Sequence, residues 1–329
     1  MSIVIPAPVT APQIIQVAEQ HRRLVFFGTP AFAVPSLRKL HASGWDIAAV
    51  ITAPDKPVGR KKILTHSPMH TVALELNIPV LTPQKLRDES FRSALAAYNP
   101  TACIVVAYGK IIPDEALKIP HLGFINVHPS LLPAYRGPSP IQTAILDGCA
   151  STGVSIMKLD ALMDHGPILA TTSWQIPSGF DATLCEDELS RIGAELLYDT
   201  LKEYVAGRIT PAEQNHELAT TTHKFTREDG RIDWTKSAQA IVNTIRALGP
   251  NPGTWTTWNG KTLNISRARI SEHSGTTPPG SAQLINEKLL VQCGDGCIEI
   301  EQLQLEGSTS QDARTFLNGH PAIIGQQFA

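Results

Sequence analysis

The sequence predicts an α/β protein in which a Rossmann-like, mostly parallel sheet domain is followed by a smaller β-barrel domain. A length of 329 residues and a hydrophobic content of 42% allow two separate cores. In roughly the first two hundred residues, continuous apolar runs alternate with amphipathic stretches, which is typical of parallel strands covered by helices. Toward the end of the chain, short alternating runs separated by turns indicate a barrel.

Six strands are predicted for the first domain, because each is a short, mostly apolar run bounded by turn residues. They cover Leu24–Pro30, Asp46–Pro54, 78–83, Ala102–Gly109, 123–130 and Thr152–Asp160. Between and after them, apolar residues at helical spacing predict helices over Ala33–Gly44, His70–Asn77, 140–148 and Leu184–Gly207.

The second domain is predicted to begin after a polar, turn-rich segment that is typical of a linker. A helix over Lys236–Leu248 precedes short strand-like runs at 254–260, 261–270, 281–286, 287–294 and 296–307. We therefore expect an N-terminal extension at 1–23, a first domain at 24–207, a linker at 208–222 and the barrel at 223–329.

Composition excludes several classes of protein. A net charge of −2 and a pI near 6.6 exclude a general polycation, so any nucleic-acid contact has to come from a local patch. No apolar run approaches the roughly 20 residues that span a bilayer, and the chain does not start like a signal peptide. Five cysteines without a C-x-x-C pair favour reduced thiols and a cytoplasmic protein. We find no cluster of ligands at metal-binding spacing, so no metal is predicted.

The end of the first predicted strand argues against a nicotinamide cofactor. A dinucleotide site requires G-x-G-x-x-G at this position, whereas Gly28 stands alone before Thr29 and Pro30.

Asn126 and His128 are the first candidates for chemistry. On a strand, residues two apart point to the same face, and Pro129 ends the strand because it cannot donate to the sheet. Ligands of open α/β sheets bind beyond the carboxyl ends of the strands. A lone His at a strand end is more often structural, so these two residues alone do not establish a functional site.

Asp160 and Asp164 follow the next predicted strand, and we expect their loop at the same edge of the sheet. An amide, an imidazole and a carboxylate meeting there can stabilise an oxyanion and move a proton, as acyl transfer requires. Neither Ser130 nor Ser139 lies in a nucleophile elbow. We therefore expect two substrates to react directly, without a covalent enzyme intermediate.

A basic loop follows the second predicted strand. It contains Lys56, Arg60, Lys61 and Lys62 against Asp55. A charge run is usually a solvated surface, but clustered Lys and Arg in a loop also suit a nucleic-acid backbone.

Several segments, in this order, resemble the methionyl-tRNA formyltransferase family. They are GTPAFAVPSL, APDKPVGRKK, SPM, VVAYGKIIP, NVHPSLLPAYRGPSPIQTAILDG, TGVSIMKLDALMDHGPIL, REDGRIDW and IRALGPNPG. The resemblance covers nearly all of the chain from Leu24 to about Gly319. The NVHPSLLP element is shared by formyl-tetrahydrofolate-dependent transferases in general. The basic loop and the REDGRIDW-led second domain narrow the resemblance to the tRNA enzymes.

The resemblance implies the reaction and its catalytic residues. The formyl donor would be 10-formyltetrahydrofolate, with no metal, and the acceptor would be the α-amino group of methionine on initiator tRNA. Asn126 and His128 match the residues that stabilise the oxyanion, and Asp164 matches the residue that holds the histidine in its useful protonation state and helps remove the amine proton.

The resemblance also implies the binding residues. The second domain would be an OB-like barrel that contacts tRNA, and the protein would be a monomer. Folate-contacting positions are Ser130, Leu131, Leu132 and Pro133, with Tyr108, Gly109, Ile111 and Ile112 walling the pterin pocket; the tRNA-contacting positions are Arg60, Lys61 and Lys62.

Three other functions remain open from the sequence. The same folate chemistry can serve a small amine acceptor, such as glycinamide ribonucleotide or an amino sugar, although such an enzyme needs neither basic loop nor barrel. A formyl-folate hydrolase can use the same three residues to activate water. A non-catalytic RNA-binding protein on an enzyme scaffold is the third, and the intact Asn126, His128 and Asp164 argue against it.

Overall fold

The structure is a computed structural model that describes residues 22–58, 62–273 and 275–329. Residues 1–21 of the predicted extension lie outside the described residues, as do Arg60 and Lys61 of the basic loop.

The chain divides into two compact units. The first comprises the described residues up to Leu132 together with Val154–Thr172 and Leu189–Glu217. The second comprises Pro133–Gly153, Ser173–Glu188 and Leu218–Ala329. The change of unit after Glu217 falls inside the segment predicted as a linker.

A seven-stranded sheet with the order β5-β2-β1-β6-β7-β8-β9 organises the first part of the chain. The strands are β1 (Arg23–Gly28), β2 (Asp46–Ile51), β5 (Val80–Leu81), β6 (Ala102–Val106), β7 (Phe124–His128), β8 (Ser151–Lys158) and β9 (Ile168–Gln175). The pairs from β5 through β7 are parallel, whereas β8 runs antiparallel to β7. The prediction of a mostly parallel α/β sheet is confirmed.

Helices and one hairpin connect these strands. The helices are α1 (Val34–Ala42), α2 (Pro68–Glu75), α3 (Glu89–Ala97), α4 (Asp114–Leu117), α5 (Pro140–Leu146) and α6 (Ala182–Val205). Between β2 and α2, the strands β3 (Lys56–Val58) and β4 (Ile63–Thr65) form an antiparallel hairpin. This hairpin, α3, α4 and β9 were not predicted from the sequence.

The last part of the chain forms a second, antiparallel sheet that curls as a half-barrel, with the order β10-β11-β14-β13-β12 and β15 on β14. Its elements are α7 (Ala238–Leu248), β10 (Trp255–Trp258), β11 (Lys261–Ser271), β12 (Ala282–Ile285), β13 (Lys288–Gln292), β14 (Cys297–Leu305), β15 (Gln311–Asp312) and α8 (Ala313–Gly319). Buried side chains of α7 and α8, including Ile241 and Phe316, pack in one core with strand residues such as Ile298. In the part of the chain that the structure describes, no helix is long and apolar enough to cross a membrane.

Strand β7 is covered closely on one face by α6. Val127 lies between Asn126 and His128 and therefore projects from the opposite face, where Gly193 of α6 packs against it. A Cβ atom added at Gly193 would lie 2.9 Å from Val127 Cγ1, closer than carbon atoms approach. The absence of a side chain at Gly193 thus allows α6 to support the strand that carries Asn126 and His128.

We predict that Gly193→Ala destabilises the protein, although Ala normally stabilises a helix interior by about 1 kcal/mol relative to Gly. Overpacking against Val127 should cost about 1–3 kcal/mol and lower the Tm measured by calorimetry. Gly319→Ala is the matched control, because its Cβ would meet nothing within 4 Å. A Gly193→Ala protein with a raised Tm would contradict the close packing.

Candidate active site

Two polar side chains are buried at the carboxyl end of β7. Asn126 is 8% exposed and His128 is 4% exposed, and both project from the face that also carries Phe124. On that face, Phe124 packs in a core that includes Phe27 and Val105. The apolar part of the strand thus anchors the segment, and the polar side chains follow where the core ends.

Asp164 lies next to His128. The distance between His128 Nδ1 and Asp164 Oδ2 is 3.7 Å, which is an ion-pair distance longer than a hydrogen bond. Catalytic contacts are often long in proteins without substrate and shorten in the working complex. The structure therefore brings together the imidazole and the carboxylate that the sequence singled out.

The imidazole and the carboxylate meet, but the expectation that the Asp164 loop starts at the carboxyl end of β7 is wrong. Because β8 is antiparallel to β7, Lys158 at its end pairs with Ile125, and the Leu159 amide donates to the Phe124 carbonyl. The loop of Asp164 therefore starts level with the amino end of β7, not with its carboxyl end. It reaches His128 only by turning back toward the carboxyl end of that strand.

Gln214 holds the turned-back loop in place. Its side-chain amide donates to the carbonyls of Asp164, at 2.9 Å, and of Gly166, at 2.8 Å, and the residue is 5% exposed. Asp164 itself has φ of 50°, a left-handed conformation that Asp tolerates better than most residues. At Gly166, a Cβ would lie 2.1 Å from the Lys158 carbonyl oxygen, so only glycine fits there.

Asp160, the second predicted carboxylate, acts within its own loop. One oxygen accepts from the Leu162 amide at 2.9 Å, and the other lies 2.6 Å from His165 Nδ1. The His165 ring stacks on His216 with centroids 4.0 Å apart. Asp160 and His165 thus shape the turn that leads to Asp164.

The segment after His128 is fixed by a buried serine of β8. Ser155 pairs with His128 in the sheet, and its hydroxyl donates to the Ser130 carbonyl at 2.7 Å. The same hydroxyl accepts from the Leu132 amide at 3.0 Å. Ser130 and Leu132 are buried, whereas Leu131 and Pro133 are partly exposed.

The loop after β6, expected to wall a ligand pocket, divides its side chains between core and solvent. Tyr108 is buried against Phe27, with ring centroids 5.3 Å apart, and burial raises the pKa of its phenol to about 12. Gly109 has φ of 79° and reverses the chain, and Ile111 is 87% exposed while Ile112 is buried. The part of this loop that can line a ligand pocket is therefore Ile111 and backbone, because the Tyr108 ring lies in the core.

The basic loop is the β3–β4 hairpin. Lys56 lies in β3, and the exposed Lys62 has φ of 49° at the turn into β4. Arg60 and Lys61, two of the three predicted tRNA-contacting residues, lie in the stretch that the structure does not describe. Ile63 and Leu64 are 61% and 67% exposed, so the described part of the hairpin presents apolar as well as basic side chains.

Comparison with known proteins decides the family. The profile of the formyl transferase family matches residues 22–201, and the profile of the formyl transferase C-terminal domain matches residues 224–321. This chain belongs to the formyl transferase family. Methionyl-tRNA formyltransferase of Caldanaerobacter subterraneus subsp. tengcongensis is 43% identical to this formyltransferase over 91% of the chain and 97% of its own length. The enzyme of that name from Roseiflexus castenholzii is 44% identical over 90% and 96%.

Solved structures show the same fold. HypX from Aquifex aeolicus in complex with tetrahydrofolic acid aligns with 90% of this formyltransferase, with a TM-score of 0.64 and 17% identity. The chain spans 47% of the length of that structure, about half of it.

Two residues of the formyltransferase site were missed by the sequence analysis. Ser155 lies in an apolar strand and Gln214 in a polar segment predicted as a linker, so neither stands out by type or spacing. Their roles come from contacts across 25 and 50 residues, which no local pattern records.

We predict that Ser155→Ala loosens the Ser130–Leu132 segment of the formyltransferase. The substitution removes one hydrogen bond from a buried carbonyl and one from a buried amide, which should cost about 1–3 kcal/mol of stability. Hydrogen exchange should become faster at the Leu132 amide. Ser151→Ala, at the exposed start of the same strand, is the control and should change neither quantity. Unchanged protection at Leu132 would contradict the role of Ser155.

Proposed function

We propose that the protein transfers the formyl group of 10-formyltetrahydrofolate to the α-amino group of methionine on initiator tRNA. The product would be formylmethionyl-tRNA for translation initiation in the cytoplasm. The observation that carries the proposal is the buried pair Asn126 and His128 beside Asp164, in a chain 43% identical to a methionyl-tRNA formyltransferase. A monomer suffices, since all three residues come from one chain.

In the proposed step one C–N bond forms and another breaks. The uncharged amine attacks the formyl carbon, and the carbonyl electron pair moves onto oxygen. The Asn126 amide and the His128 imidazole donate hydrogen bonds to that oxygen. As the electron pair returns, the bond from the formyl carbon to folate N10 breaks, and the proton lost by the amine passes to N10.

Asp164 would act through the histidine. Its carboxylate is 3.7 Å from His128 Nδ1, so it can hold a proton on that nitrogen, and the hydrogen bond to the formyl oxygen would then come from a second proton on Nε2. The hydrogen bonds from the Gln214 side chain to the carbonyls of Asp164 and Gly166 position the loop that carries the carboxylate. Asp164 is thus placed to assist removal of the amine proton.

Formyl transferases use folate, and HypX was crystallised with tetrahydrofolic acid. The folate would lie along Ser130, Leu131, Leu132 and Pro133, the segment that Ser155 anchors. The exposed Ile111 on the loop of Tyr108–Ile112 supplies apolar surface for the pterin ring.

The tRNA would contact the hairpin and the second domain. Arg60, Lys61 and Lys62 suit phosphate contacts that need no base recognition. In the second unit, Arg227 and Arg231 lie over the ring of Trp255, at 5.7 and 5.6 Å from its centroid. We retain 24–207 as the catalytic domain and 223–329 as the tRNA-binding domain in this proposal.

The acceptor is tested directly by competition. We expect formyl-folate to formylate Met-tRNA, with no product from glycinamide ribonucleotide or an amino sugar under the same conditions. Transfer to either small amine would replace the tRNA proposal, and release of formate without any acceptor would identify a hydrolase. Radiolabelled formyl donor with separation of all three products gives the measurement.

We predict that His128→Ala lowers kcat for formyl transfer by about 10²–10⁴-fold, the usual contribution of a proton-transferring side chain. The Kd for Met-tRNA, measured by fluorescence titration, should stay near that of the unmodified protein. His121→Ala, at an exposed histidine of the same unit, is the control. A His128→Ala enzyme with normal turnover would remove His128 from the reaction.

A further inference from the structure

Three potential metal ligands meet at the base of the β3–β4 hairpin. Asp55 precedes β3, His66 follows β4, and His70 lies in the first turn of α2. One ligand atom from each lies within 4.8 Å of the others. The sequence analysis found no such cluster because Asp55 is separated from the H-x-x-x-H pair by the hairpin itself.

The two imidazoles point at one carboxylate. His66 Nδ1 is 2.8 Å from Asp55 Oδ2, and His70 Nδ1 is 3.0 Å from Asp55 Oδ1. The two rings lie 3.9 Å apart between centroids. Both Nδ1 atoms therefore converge on the same small volume, which a purely structural Asp–His pair does not require.

These distances are close to those of a metal centre. In a tetrahedral zinc site with bonds near 2.0–2.1 Å, neighbouring ligand atoms are separated by about 3.3 Å. The observed separations are shorter by a few tenths of an ångström. An ion could enter if the ligands spread slightly and each imidazole moved its proton from Nδ1 to Nε2.

The start of α2 fixes the positions of the two histidines. Ser67, between the two histidines, caps α2 by accepting from the His70 amide at 3.1 Å, and its hydroxyl contacts Thr52 at 2.8 Å. His66 lies just before this cap, and the contact between its ring and that of His70 places both histidines on one side of the helix start. The side chains of Asp55 and His70 are 19% and 15% exposed, and that of His66 is 50% exposed, which leaves access for an ion.

We propose that Asp55, His66 and His70 bind a divalent transition metal ion of the zinc class. Two imidazoles and one carboxylate form a donor set that Zn²⁺ accepts, with water completing the coordination. Asp55 and His66 flank the hairpin, and His70 belongs to α2. A bound ion therefore ties both ends of the hairpin to the helix and restricts its motion.

The proposal is independent of formyl transfer. The ion lies outside the group of Asn126, His128 and Asp164, and no step of the proposed reaction passes through it. Loss of the metal would therefore change the order of the hairpin and leave the chemistry of the formyl group in place.

The binding test uses full-length protein without a polyhistidine tag. Calorimetric titration of the metal-free protein with Zn²⁺ should give one site, and Co²⁺ should give the visible absorption of a tetrahedral complex. His66→Asn and His70→Asn should each weaken binding at least about 10-fold, a loss typical of damaged metal sites. His41→Asn, at an exposed histidine of α1, is the matched control and should bind normally.

Absence of binding, or equal binding by the unmodified protein and both variants, would overturn the site. The restriction of the hairpin by the bound ion is tested separately by limited trypsin digestion, since Lys62 is an exposed cleavage point. Zn²⁺ should slow cleavage after Lys62 in the unmodified protein and have no effect in His70→Asn. Equal cleavage with and without bound Zn²⁺ would overturn this restriction.

Discussion

The candidate site depends on the antiparallel pairing of β7 with β8. This pairing sets Ser155 opposite His128, and the single hydroxyl of Ser155 then binds the segment immediately after the histidine. A shift of one residue would turn Ser155 to the other face and remove both bonds, because side chains alternate along a strand. The register of one strand pair therefore fixes the imidazole and the proposed folate-contacting segment together.

The same pairing separates the start of the Asp164 loop from His128. An antiparallel β8 delivers the chain to the amino end of β7, whereas His128 lies at the carboxyl end. The return toward His128 uses a left-handed residue at Asp164 and a glycine whose Cβ position is blocked at Gly166. Backbone conformations of this kind are retained only where the surroundings impose them. The two hydrogen bonds from the buried side chain of Gln214 supply that constraint.

The sequence predicted the parts of the fold that local patterns record. Period-two alternation placed Asn126 and His128 on one face, and continuous apolar runs located β1, β6 and β7. It missed β9, because half of its sequence ILATTSWQ is polar, as suits a strand at the edge of the sheet. It also placed the start of the Asp164 loop at the wrong end of β7, since strand direction in the sheet depends on pairing and not on composition. Tyr108 was expected at a pocket, but its ring packs on Phe27 instead.

Acceptor binding cannot rest on the net charge of the second domain. From Thr221 onward the chain has ten Lys and Arg and ten Asp and Glu by count. On the surface of β11, β13 and β14, the cations Arg267, Arg269 and Lys288 pair with Glu299 and Glu301. Surface ion pairs of this kind add little stability, but the two glutamates cancel two of the three positive charges there.

Contact with phosphate then depends on the cations that are not paired with these glutamates. Arg227 and Arg231 contact the face of Trp255, an arrangement that keeps the guanidinium charge while fixing its direction. Cations held on an aromatic ring, and not balanced by the glutamates of β14, can still contact phosphate. A domain with equal numbers of positive and negative residues can therefore bind tRNA through one surface, provided that its negative residues form ion pairs on a different surface.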